Sequence, residues 1–99
     1  MVRKTKTRIK LEEYQKPKYV NYILSEHHRK RRYALKIIIK YEAYKKKISI
    51  RAAAVSKKRR LNVLRMYRRY NYKSQCMDIT RDMRYLDREY DLGKTNNIC

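Results

Sequence analysis

An all-α fold of three to four helices is predicted for this chain by two observations: turn residues are almost absent, and apolar residues recur at helical spacing. One Gly and one Pro in 99 residues leave little punctuation for a sheet-rich fold, which needs many more breakers. A chain of this length supports one small domain with a modest core. Its 29 Lys and Arg against 9 Asp and Glu give a net charge of +20. Self-repulsion on that scale calls for a polyanionic partner as counterweight. The excess is uneven, with 25 cations and 4 acids in residues 1–75 but 4 cations and 5 acids in residues 76–99. Apolar residues, at 42%, are too numerous for the simple low-hydrophobicity route to disorder. Partial order alone and full order when bound are expected.

Residues 1–17 have no clear period and end at Pro17, so they read as an extended basic arm, with Lys16 pushed out of the helical region by the proline. Their acid-free opening, MVRKTKTRIK, lacks the Ser content and apolar stripe of a transit peptide. A small helical domain is assigned to residues 18–93 and a polar tail to residues 94–99. The first helical candidate spans residues 18–47. It has one apolar patch at Val20, Ile23 and Leu24 and a wider one at Ala34, Leu35, Ile37, Ile38, Ile39, Tyr41 and Tyr44. The basic run Arg29, Lys30, Arg31, Arg32 lies between the patches. Either one helix passes through this charged middle, or two meet near Ser25, a candidate N-cap.

Residues 48–55, ISIRAAAV, read as a connector leading into a further helix. The run Ser49-Ile50-Arg51-Ala52-Ala53-Ala54 resembles the opening of the first helix in helix-turn-helix domains of the pipsqueak kind. That resemblance implies a tight turn and a recognition helix in the middle of the chain, although the following VSKKRRLN lacks the expected turn residues.

Residues 56–73, SKKRRLNVLRMYRRYNYK, interleave cations with apolar and aromatic residues and contain no acid. At about 100° per residue, Val63, Leu64, Met66, Tyr67 and Tyr70 share one face, while Lys58, Arg65, Arg68 and Arg69 share the other with Leu61. Ser56 is the expected N-cap. The cationic first turn Lys57, Lys58, Arg59, Arg60 has the wrong sign for the helix dipole, which makes sense if phosphate oxygens sit at that end.

In residues 74–92, Cys76, Ile79, Met83, Leu86 and Tyr90 fall within about 80° of arc, a narrow stripe suited to one packing partner. The expected partner is the apolar face of residues 61–70. Ser74 or Asp78 would cap the start and Gly93 the end. Arg81, Arg84, Asp87, Arg88 and Asp91 read as a solvated face with Arg84–Asp87 and Arg88–Asp91 pairs.

Several chemistries are disfavoured. Cys76 and Cys99 have no CxxC spacing, so neither a disulfide nor a zinc staple is expected, and a reducing intracellular compartment or a virion interior is the default setting. The adjacent His27 and His28 lie about 100° apart on a helix and cannot ligate one metal from one face. Gly93-Lys94-Thr95 matches the end of a P-loop, but position 88 is Arg where the loop needs Gly. No grouping of Ser, His and Asp by spacing suggests catalysis. No enzyme, cofactor or metal is expected, and no run of roughly 18 uncharged apolar residues exists to span a membrane. Eleven Tyr without Phe or Trp suit surfaces that contact both apolar groups and phosphate or bases.

The expected function is a small basic nucleic-acid-binding protein that holds DNA or RNA through phosphate contacts as a component of a large ribosome-like, chromatin-like or virion assembly. Its contact residues would be Arg29, Lys30, Arg31, Arg32, Lys57, Lys58, Arg59, Arg60, Arg65, Arg68 and Arg69, with Ile79, Met83, Leu86 and Tyr90 packing the fold. The alternative is a minor structural or cement protein that orders between larger subunits. Surface binding to anionic lipid is disfavoured by the lack of Trp and Phe.

Overall fold

In the computed structural model, which describes residues 21–99, three helices follow one another: α1 (His28–Lys46), α2 (Ile50–Arg68) and α3 (Lys73–Tyr90). No strand occurs among the described residues. The expected basic arm and Val20 lie outside them.

Residues 21–27 are not helical, so the expected helix over residues 18–47 does not run through them; among the described residues it begins at His28 and is not capped by Ser25. His27 takes that role, its Nδ1 accepting from the Arg29 amide at 3.2 Å. The end of α1 is a left-handed turn at Lys47, φ 55°, in which the Lys47 amide donates to Tyr44 O and the Ile48 amide to Ala43 O. This paired closure usually uses glycine. A lysine there costs about 1–2 kcal/mol, offset by satisfying two terminal carbonyls.

Only Lys47, Ile48 and Ser49 separate α1 from α2. Ser49 Oγ accepts from the Ala52 amide at 3.0 Å, so Ser49 rather than Ser56 is the N-cap. The run resembling a helix-turn-helix opening does begin a helix, as that resemblance implied. However, α2 continues unbroken through VSKKRRLN to Arg68, and the tight turn is absent there. Lys57 to Arg60 consequently lie in mid-helix, and the expected anion site at a free helix start does not exist at those residues.

α3 begins after Tyr72 without a side-chain cap, so neither Ser74 nor Asp78 caps it. It closes through Asp91 at φ 57°, with Leu92 N donating to Asp87 O at 3.1 Å. Aspartate tolerates that conformation better than most residues. Gly93, φ 107°, lies two residues further on and turns the chain back.

The core joins Leu35, Ile39 and Ala43 of α1, Ala53, Ala54 and Leu61 of α2, and Ile79, Met83 and Leu86 of α3. Leu24, Leu64, Tyr85, Tyr90 and Leu92 pack around it. The narrow α3 stripe is inward as expected: Cys76, Ile79, Met83 and Leu86 are buried and Tyr90 half-buried. Helix α2 is rotated from its expected orientation. Val63, Met66, Tyr67 and Tyr70 are 51%, 54%, 79% and 82% exposed, whereas Arg65 is only 5% exposed. Ala54, Leu61 and Arg65 share an arc of about 40°, and Ala53 and Ala54 are fully buried in the core, so the inward face of α2 runs through these residues. Cys76 and Cys99 are joined by a disulfide across a sequence separation of 23, contrary to the expectation of two isolated thiols, and this gives no support to a reducing compartment.

Candidate nucleic-acid interface

The basic residues divide into those holding the fold and those facing outward. Arg31, 5% exposed, is an internal group. Its Nε donates to Asp82 Oδ2 at 2.7 Å, its Nη2 to Oδ1 at 3.3 Å and its Nη1 to Glu26 O at 2.7 Å. Tyr22 adds its hydroxyl to Asp82 Oδ2 at 2.6 Å. Burial, then the Asp82 hydrogen bond and charge, pushes the Tyr22 hydroxyl well above its ordinary range. For Arg31, burial works against its charge, but the hydrogen bond and charge of Asp82 outweigh it and raise the pKa. Both carboxylate oxygens are therefore used, the condition under which a buried ion pair is tolerated.

Asp87, expected in a solvated pair with Arg84, is buried instead. Lys58 faces its Oδ1, and the Thr95 hydroxyl donates to Oδ2 at 2.6 Å. Arg84 donates to Thr95 O at 3.2 Å. Arg65 Nε donates to Asn62 Oδ1 at 2.8 Å, and its Nη1 donates to Thr80 Oγ1 at 3.0 Å and Asn96 O at 2.7 Å. Those acceptors are neutral. Burial and the nearby Arg84 charge lower the Arg65 pKa.

Arg60 reaches across to α1, with Nη2 2.7 Å from Glu42 Oε1, and Lys46 lies 3.7 Å from the same carboxylate. Burial tends to raise the Glu42 pKa, but the Arg60 hydrogen bond and the surrounding cations bring it below the ordinary value. Arg68 bonds Gln75 Oε1 at 2.8 Å, and Arg69 bonds Ile98 O at 2.8 Å. Arg32 stacks over Tyr85 at 5.1 Å and Lys57 over Tyr22 at 5.8 Å.

The remaining members of the expected set are outward. Arg29, Lys30 and Arg59 are exposed, and none has a carboxylate within ion-pair distance among the described residues. On α2, Arg59 lies at about the same helical angle as Val63, Met66 and Tyr70. The outer face of α2 thus presents cations beside exposed tyrosines. Internal use of Arg31, Lys58 and Arg65 was not legible from a charge count. The alternation of Asp82 and Asp87 with the apolar stripe of α3 was the available signal, because both fall beside it rather than opposite.

No cluster of His, Cys, Asp or Glu among the described residues could hold a metal ion, and no helix among them is long and apolar enough to cross a membrane. No known protein family, curated protein or solved structure matches this chain.

Proposed function

We propose that this protein binds nucleic acid without catalysing a reaction, mainly through phosphate contacts, as a small structural part of a larger nucleoprotein assembly. One observation carries this: on a chain of net charge +20, Arg29, Lys30 and Arg59 are exposed with no carboxylate within ion-pair distance among the described residues. Arg29, Lys30 and Arg59 supply charge, and Tyr67 and Tyr70 supply exposed rings on which bases can stack. Contacts of this kind position a protein on a backbone but specify little sequence.

The test is anisotropy of labelled duplex DNA, duplex RNA and single-stranded RNA, with heparin as competitor, across a salt series. Lys30→Glu with Arg59→Glu is expected to weaken binding about tenfold or more, and Arg81→Glu with Arg88→Glu, the same charge change on α3, much less. Equal losses would remove the localised face. A second function, packing between larger protein subunits, is favoured by the exposed Val63 and Met66. It becomes the better account if all polyanions bind equally and none depends on Arg59.

A further inference from the structure

The carboxyl-terminal residues form a strap held almost entirely by cations. Lys58 Nζ donates to Lys94 O at 3.2 Å, Arg84 Nε to Thr95 O at 3.2 Å, Arg65 Nη1 to Asn96 O at 2.7 Å and Arg69 Nε to Ile98 O at 2.8 Å. Four basic side chains, from α2, its C-cap Arg69 and α3, therefore converge on carbonyls within a five-residue stretch. The strap is fixed at its far end by the Cys76–Cys99 disulfide and in its middle by Thr95 on Asp87.

Neutral carbonyl oxygens are weaker acceptors for a guanidinium or ammonium than phosphate oxygens. Arg65 also has no carboxylate partner among the described residues, and an uncompensated buried charge is costly. Beside the strap lies a groove of about 750 Å³ whose lining combines Lys58, Arg59, Arg65, Arg69 and Lys94 with apolar side chains such as Val63 and Met66 and contains no acid.

We propose that Lys58, Arg65, Arg69 and Arg84 form a phosphodiester-binding site, which the strap covers with its own carbonyls while the disulfide is intact and which thiol reduction opens. This rests on the nucleic-acid function proposed above and adds to it a second, covered site. The step balances with an external thiol as reductant. Two electrons and two protons from a dithiol convert the Cys76–Cys99 bond into two free thiols, and the dithiol leaves as its own disulfide. Once untethered, the strap is held by four neutral acceptors, the Thr95 contact and the packing of Leu92 at its start, and only the acceptors compete directly with phosphate. Lys58 retains Asp87 beside it, so Arg65, Arg69 and Arg84 gain the most.

The experiment compares the full oxidised chain, the same chain reduced with dithiothreitol, and Cys99→Ser. Each is titrated into labelled duplex DNA at about 0.15 M salt. Hydrogen exchange over residues 92–99 and circular dichroism are recorded on the same samples. Reduction and Cys99→Ser are expected to tighten binding about tenfold, to steepen the salt dependence by about 2 to 4 in slope, and to speed exchange in the strap with helicity retained. Equal, measurable affinity in both redox states overturns the covered site and leaves the exposed-face function standing. No binding in either state removes both. If Cys99→Ser loses helicity, Thr95→Val with the disulfide intact loosens the strap instead. A smaller tightening is then expected, and none at all counts against the site.

Discussion

At the scale of single residues, the fold depends on acids that a charge count treats as minor. Asp82 accepts from both Arg31 and Tyr22 while having no exposed surface. Removing its charge leaves the Arg31 guanidinium buried and unpaired. Asp82→Asn is therefore expected to cost about 3–5 kcal/mol in urea unfolding, whereas Arg31→Met combined with Asp82→Leu recovers most of that loss. A cost below about 1 kcal/mol for Asp82→Asn would place the pair among weak surface bridges. The same logic separates the basic residues. Arg31 and Arg65 look like Arg29 and Arg59 in the sequence, because nothing local marks a guanidinium whose partner lies 51 residues away or is a carbonyl from the tail.

At the scale of elements, helix existence was legible and helix phase was not. The α3 stripe was correctly inward because five apolar positions repeat without interruption from Cys76 to Tyr90. In and just after α2, Val63, Met66, Tyr67 and Tyr70 face outward, and of the apolar face expected there only Leu64 packs against the core. Ala53 and Ala54, assigned to a connector, lie in the first turns of the helix and are fully buried in the core. The caps shifted with it. Ser49→Ala is expected to lower stability by about 1 kcal/mol through loss of the bond to the Ala52 amide, while Ser56→Ala, in mid-helix, changes it by less than about 0.5 kcal/mol. Chemical denaturation of both variants decides between the two helix starts, and the reverse ranking would restore Ser56 as the cap.

At the scale of the whole molecule, a charge of +20 on a small core makes stability sensitive to screening. Raising ionic strength from about 0.01 M to 0.15 M shortens the screening length from about 30 Å to 8 Å. The thermal midpoint is expected to rise, by about 4–8 °C for each kcal/mol of repulsion removed. Circular dichroism melts at the two salt concentrations measure this, and a falling midpoint would mean that internal ion pairs outweigh surface repulsion.

The amino-acid sequence by itself determined the helical class, the inward face of α3 and the basic character of the molecule, since breaker content, short-range periodicity and net charge are additive properties of the chain. Only the tertiary structure decided which cations are internal, which way α2 faces and that Cys76 meets Cys99. Each of those depends on contacts between residues distant in sequence, where burial and a specific partner, rather than residue type, settle whether a charge belongs inside or out.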